Sequence, residues 1–380
     1  MTDNVNPFPE GVAIGGAFIN RVREREQLSK RIQSHKHTVL MAPRRYGKTS
    51  LVMQVAKEMK IASCAIDLLA AYDIDYVRDQ LAERVGRMAI DLLPNPIAKT
   101  KEKLLDIFKR LKPEIMMDAF GQKLVLRLSG APLRDISDLL LKLDETANHF
   151  KKSAVIFLDE FQQVSQLKNY HSIEASIRHA VERSKRVAYV FSGSNRTLLA
   201  QMFGDSGRPL YRLCQLIHIE RMEKQVYFER LHHLAKIKWK KNMSDEVIER
   251  ICFHAELHPF FMNVLCQALW EKELVVTVDQ VDEAWHAYVK TQRQIISHDV
   301  MSISPNQRKI LTALARQSVK EIQSSDFLVS LKISASSAQQ AVEALLKKDL
   351  VYRKNDGYYC VLDPAMKYYL DVILWECNVI

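Results

Sequence analysis

One stretch concentrates residue types able to hold phosphate: VLMAPRRYGKTSL, residues 39–51. Gly47, Lys48 and Thr49 follow the spacing of a phosphate-binding loop, G-x-x-x-x-G-K-[ST], except that Ala42 stands where the first glycine is usual. Such a loop turns successive backbone N–H groups inward around a β-phosphate, with a helix N-terminus behind them. The demanding position is Gly47, where a side chain would meet phosphate; the first position only leaves the strand, and a methyl group fits there. The loop residues Ala42, Pro43, Arg44, Arg45, Tyr46 and Gly47, with Lys48, Thr49 and Ser50 at the helix start, are therefore candidates for holding a nucleotide. Lys48 would reach the β- and γ-oxygens and the Thr49 hydroxyl would ligate Mg²⁺. The competing reading is a basic surface turn.

Three further stretches carry polar groups at positions where they could act on that phosphate. VIFLDEF (residues 155–161) runs four apolar residues into Asp159 and Glu160, at the C-terminal edge of a buried strand, where ligands bind in open α/β sheets. Asp159 suits the Mg²⁺ shell, and Glu160 suits the orientation and deprotonation of an attacking water. VFSGSNR (residues 190–196) ends a second apolar run; Ser194 or Asn195 is either a γ-phosphate sensor or ordinary turn and cap chemistry. In GDSGRPLYR (residues 204–212), Arg208 or Arg212 is either a surface charge or a stabiliser of transition-state charge, in cis or across a subunit contact.

These groups need a scaffold, and the hydrophobic pattern supplies one. Residues 37–42, 61–68, 153–161, 186–194 and 215–222 read as strands, most of them near-continuous apolar runs suited to parallel strands covered on both faces. Helices over 48–60 and 74–93 alternate with them, making a βαβ sheet the natural arrangement. Asn20 is placed to cap a charged helix over 21–34. Residues 94–96 break the chain, and two charged helical stretches follow. From 223 to 291 the pattern is helical only, with Pro259 at a helix start. Three short helices (306–317, 322–331, 334–348) and a hairpin turning at Asn355, Asp356 and Gly357 then suggest a winged helix-turn-helix.

At 380 residues the chain fits two or three domains. With 47% hydrophobic and 26% charged residues and a formal net charge of +10, it reads as a soluble globular protein with an anionic partner such as nucleotide or nucleic acid. Cys64, Cys214, Cys252, Cys266, Cys360 and Cys377 show no metal-ligand spacing and read as reduced thiols. No apolar run reaches the ~18 residues of a spanning helix, so a membrane partner is not expected and the cytoplasm is the default.

Taken in order, FINRVREREQL (18–28), APRRYGKTSL (42–51), VIFLDEFQ (155–162), FSGSNRTLL (191–199), HPFFMNVLCQALW (258–270) and YYCVLDPAMKYYL (358–370) resemble the archaeal-type, DEXX-box P-loop ATPases of the AAA-like, STAND-related group. The resemblance spans nearly the whole chain. It implies an α/β fold: an ASCE-type P-loop NTPase core with a parallel sheet (1–221), a helical lid (222–296) and a winged helix-turn-helix domain (297–380). It also implies ATP and Mg²⁺ as the bound groups and His258 and Pro259 as lid contacts with nucleotide, His258 being otherwise a helix cap. The chain departs from the family at Ala42 and in lacking an arginine beside His258, which points to slow hydrolysis. GTP stays open as the nucleotide.

The tail is ambiguous. The third of its helices exposes Ser336, Ser337, Gln339 and Gln340, and Lys332, Lys347, Lys348, Arg353 and Lys354 could meet phosphates of double-stranded DNA. From Met301 onward, however, ten Lys/Arg face eight Asp/Glu, so this unit is only about +2. The sequence therefore supports an ATPase acting on DNA or a protein partner. The alternatives are a DNA-binding module with a structural nucleotide and a signalling or defence scaffold that forms a homo-oligomer.

Overall fold

The computed structural model describes residues 6–94, 100–111, 114–117, 124–128, 131–354 and 356–374. By contacts the chain forms two compact units, one of them Asn20–Glu220 and the other joining the described N-terminal residues to everything from Arg221 onward.

The first unit begins with α1 (Val22–Gln33), β1 (Thr38–Met41), α2 (Lys48–Met59), β2 (Ala62–Asp67) and α3 (Ile74–Asp91). Next come α4 (Thr100–Ile107), β3 (Glu114–Met117), β4 (Leu124–Arg127) and α5 (Pro132–His149). It closes with β5 (Ala154–Asp159), α6 (Tyr170–Val181), β6 (Val187–Gly193), α7 (Arg196–Gly204) and β7 (Gln215–His218). Five strands form one parallel sheet in the order β2-β5-β6-β1-β7. Every residue of β1 and β6 is buried, as expected of strands covered by helices on both faces. β6 therefore lies between the strand that feeds the glycine-lysine loop and the strand that ends in Asp159. All three deliver their C-terminal ends to one edge.

That convergence depends on how β6 is anchored. The Asp144 carboxylate on α5 is buried and accepts from the backbone N–H groups of Lys185, Arg186 and Val187 at 2.8–3.0 Å. It satisfies the donors of the turn entering β6 and fixes where the strand starts.

Two details differ from the expectations. Between α4 and α5 the chain forms an antiparallel pair, β3–β4, rather than helix alone; the run Leu124-Val125-Leu126 has strand propensity, which its charged surroundings hide. Asn20 does not cap α1. The residue ahead of that helix is Arg21, turned to a left-handed φ of 51° with its side chain committed elsewhere.

In the second unit Phe8 is buried, with its ring edge-on to Trp270 at 4.7 Å, so residues expected with the sheet pack instead among helices. These are α8 (Lys224–Trp239), α9 (Asp245–Ala255), α10 (Pro259–Trp270), α11 (Val278–Thr291) and α12 (Arg293–Met301). Next come α13 (Pro305–Arg316), α14 (Ser325–Leu331), α15 (Ala335–Lys347), β8 (Val351–Arg353), β9 (Tyr359–Val361) and α16 (Pro364–Tyr368). Helix α12 runs across the 296/297 boundary drawn from the sequence. β8 and β9 pair antiparallel, and a bridge from Val319 to Tyr359 adds a third segment, giving three helices and a small sheet with a wing. Of the turn residues, Asp356 and Gly357 are described (Gly357 at φ 93°), while Asn355 lies outside the described residues. A salt-bridge triad ties this unit together: Glu256 at the end of α9 receives Arg221 at 2.6 Å and Lys367 of α16, and Arg221 also reaches the Leu362 carbonyl at 2.8 Å.

Cys64, Cys214, Cys252, Cys266 and Cys360 are free thiols. Among the described residues, no helix is long and apolar enough to cross a membrane.

Candidate active site

The loop between β1 and α2 has the geometry its sequence demands. Gly47, ahead of α2, sits at φ 79°, a left-handed conformation that glycine adopts without strain. Open space surrounds its missing Cβ, so the constraint visible here is on the backbone angle. Ala42 is fully buried where β1 ends, and its carbonyl accepts from Lys48 Nζ at 3.2 Å. The Pro43 carbonyl accepts from the same ammonium at 3.0 Å. Lys48 is thus 5% exposed, its charge lodged on loop carbonyls. Tyr46 and Ser50 are buried, whereas Arg44 and Arg45 stand exposed, Arg45 at φ 65°.

The loop meets the acidic pair directly. Thr49 Oγ1 donates to Asp159 Oδ2 at 2.9 Å, and Ser192 of β6, fully buried, donates to Asp159 Oδ1. Two hydroxyls and a carboxylate form an all-oxygen donor set, which fits a small hard cation such as Mg²⁺, held by one or two protein groups plus phosphate and water. Glu160 turns away from the strand at φ 50°. Its Oε2 accepts from Gln162 Nε2 at 2.6 Å, from Ser194 Oγ at 2.7 Å and from the Ser194 N–H at 3.3 Å. Burial alone would raise this carboxyl, but the hydrogen bonds from Gln162 and Ser194 and the nearby Lys48 ammonium hold it below the ordinary glutamate value. Glu160 is therefore an ionised carboxylate with one oxygen engaged, as a general base requires.

The sheet thus brings Lys48, Thr49, Asp159, Glu160 and Ser194 to one edge. Ser194 and Asn195 part company: Ser194 faces Glu160, while Asn195 caps α7 by accepting from the Leu198 N–H at 3.0 Å. Arg208 is turned into its own unit. Its guanidinium pairs with Glu174, a fully buried carboxylate on α6, donates to Ser165 Oγ at 2.7 Å and lies 4.6 Å from the Tyr170 ring centroid. Burial raises the Glu174 carboxyl, and Arg208 pulls it back. Arg212 is exposed, beside the Tyr211 ring at 5.0 Å. His258 and Pro259 belong to the second unit. His258 is the N-cap of α10, its Nδ1 accepting from the Phe260 N–H at 3.3 Å, with Pro259 as first helical residue.

Sequence reasoning missed three contributors. Arg21 is buried and donates to the Tyr46 carbonyl at 3.0 Å, bracing the loop from outside; its only signal was its place in the 18–28 stretch. Ser192 was one polar letter among several at a strand end. Gln162 had no signal beyond following the acidic pair.

Comparisons agree with this architecture. A family model described as "Probable winged helix domain" matches residues 297–372. A Walker-type ATPase of Pyrococcus abyssi superimposes with a TM-score of 0.68 at 16% identity, covering 96% of this chain and 99% of that one. The ORC2 protein of Aeropyrum pernix, solved in ADPNP-ADP complexes, superimposes with a TM-score of 0.54 at 12% identity, covering 99% and 98%. No curated protein matches the sequence. The chain therefore has the fold of a P-loop ATPase of the ASCE/AAA-like kind, with a C-terminal winged helix.

Proposed function

We propose that this chain is a Mg²⁺-dependent ATPase whose nucleotide state governs contact between its winged helix and duplex DNA. One observation carries the reading: Lys48 and Thr49 at the start of α2, Asp159 and Glu160 at the end of β5 and Ser194 beyond β6 converge at one sheet edge, with Thr49 bonded to Asp159 at 2.9 Å and Ser194 to Glu160 at 2.7 Å. Backbone N–H groups around Gly47 and the Lys48 ammonium would hold the β- and γ-phosphates. Thr49 and Asp159 would hold magnesium, which when bound neutralises charge on the phosphate oxygens. Glu160, ionised, would orient a water and accept its proton. The ADPNP-bound state of the Aeropyrum pernix protein supports adenine over guanine as the base.

In this reading residues 222–296 act as a lid, His258 and Pro259 approaching nucleotide, and residues 297–372 act as the DNA-contacting domain. Support for DNA comes from α15, the turn ahead of it and the wing, where Ser336, Gln339, Gln340, Lys332, Lys347, Lys348, Arg353 and Lys354 are all exposed. A protein partner or self-association on nucleotide binding is the alternative output, and the cytoplasm is the expected compartment.

The test is phosphate release with Mg²⁺, with and without duplex DNA. Lys48→Ala should lose nucleotide binding. Glu160→Gln should keep binding but lose turnover by at least a hundredfold, the scale expected of a general base. Turnover that survives Glu160→Gln would overturn the reading. Salt-insensitive DNA affinity would remove DNA from it.

A further inference from the structure

Gln162 is 2% exposed, in the short 3-10 turn Phe161–Gln166 that follows Glu160. A buried carboxamide is costly unless its donors and acceptors are matched, and here they are matched on one side only. Nε2 donates to Glu160 Oε2 at 2.6 Å, while Oε1 is buried without a partner. The neighbouring strand has made room for this group. A Cβ built on Gly193 would lie 1.8 Å from Gln162 Oε1 and 2.8 Å from Cδ, so only glycine lets the carboxamide pass. A side chain kept for stability alone would be served as well by an apolar group of the same length, which leaves no orphaned acceptor. What an apolar group cannot supply is the N–H on Glu160.

We propose that Gln162 is a positioning residue for nucleotide hydrolysis. Its amide N–H and the Ser194 hydroxyl clamp one carboxylate oxygen of Glu160, leaving the other aimed at the attacking water. Gly193 is the steric condition of the clamp. The proposal rests on the ATPase reading above and deepens it, adding to Glu160 the groups that fix its rotamer. Ser194 alone leaves the carboxylate free to swing about its contact; donors from two different segments, the 3-10 turn and the turn that follows β6, hold it in a plane.

The test uses the full chain. Gln162→Met keeps length and volume and removes the amide. The expected result is a ten- to thirtyfold fall in kcat, with KM for ATP and the Kd for ADP within twofold of wild type. The melting temperature should stay equal or rise, because the orphaned oxygen is gone. Gly193→Ala, which forces the carboxamide aside, should give the same kcat loss, and the double variant should add little to either single one. A melting temperature several degrees lower, with kcat falling only as the folded fraction falls, would mean a structural amide and would overturn the proposal. So would a folded Gln162→Met variant with wild-type kcat. If Lys48→Ala and Glu160→Gln abolish turnover while Gln162→Met does not, the clamp alone fails. If the wild type releases no phosphate, both readings fail.

Discussion

Replacing Arg208 with alanine separates two accounts of that residue. In the structure its guanidinium neutralises Glu174, whose side chain has no solvent exposure, while the arginine itself is 13% exposed. Breaking a buried pair by removing one partner typically costs ~3–5 kcal/mol, because the remaining charge is left uncompensated. The partial exposure of Arg208 puts the expectation at the lower end, about 3 kcal/mol. With a urea m-value of about 2 kcal/mol per molar, that moves the denaturation midpoint down by about 1.5 M. The pH dependence has a definite sign. Burial already raises the Glu174 carboxyl, and losing Arg208 raises it further, so the deficit is full above the folded-state pKa and shrinks as pH falls through it and the group takes up a proton. The assay is unusually clean. All four tryptophans (Trp239, Trp270, Trp285, Trp375) follow residue 220. Tryptophan fluorescence therefore reports the second unit, and far-UV circular dichroism adds the first. Arg208→Ala should bring an early dichroism transition and leave the fluorescence transition in place. An unshifted dichroism curve with phosphate release down tenfold or more would refute this reasoning and return Arg208 to the role of a charge-stabilising arginine.

Other sites make comparably sharp statements. Asp144→Ala strips three backbone N–H groups of a carboxylate acceptor and should cost about 3 kcal/mol, with Asp144→Asn costing less, by urea denaturation followed by dichroism. Arg21→Ala removes the brace on the Tyr46 carbonyl and should weaken ATP binding about tenfold, ~1.4 kcal/mol, by titration calorimetry; an unchanged Kd would show that the loop holds its shape alone. His37, whose Nδ1 accepts from the Tyr189 N–H at 3.2 Å, is pushed by burial, aided by Arg31, from 6.5 down to about 4. The unfolded chain takes up this proton first, so its contribution is complete above pH 6.5 and is lost as pH falls toward 4. Partial exposure limits the loss to about 2 kcal/mol. His37→Gln should flatten that part of the urea midpoint-versus-pH curve.

How far the site could be read from the chain follows from where each constraint lies. Gly47, Lys48 and Thr49 are consecutive, and the backbone angle and helix start they need are local, so spacing alone revealed them. Asp159 and Glu160 were legible because an apolar run ending in two acids, coupled to the glycine-lysine loop, reads as a strand edge. Ser194 and Asn195 were indistinguishable in sequence because a sensor and a helix cap use the same short polar side chains; only β6's register turns one toward Glu160 and the other into α7. The buried pairing of Arg208 was hidden for a related reason. An arginine in a Gly/Pro loop does not disclose its partner, and Glu174 lies 34 positions away. Gln162 and Arg21 act through single hydrogen bonds to groups that sequence cannot place. The β3–β4 pair escaped because it is short and set among charges.

The packing of Phe8 against Trp270 has a bearing on how the molecule is made. The sheet unit is one unbroken stretch and can be completed as soon as residue 220 has left the ribosome. The helical unit is discontinuous: a segment synthesised earlier must wait until its aromatic partner, Trp270, emerges some 260 residues after Phe8. The closing entropy of so long a loop grows only logarithmically, but the delay is real, and during it an apolar segment stands uncovered. An excised fragment spanning residues 20–220 would carry its whole core with it. One beginning at residue 221 would leave Trp270 without the Phe8 ring that packs edge-on to it.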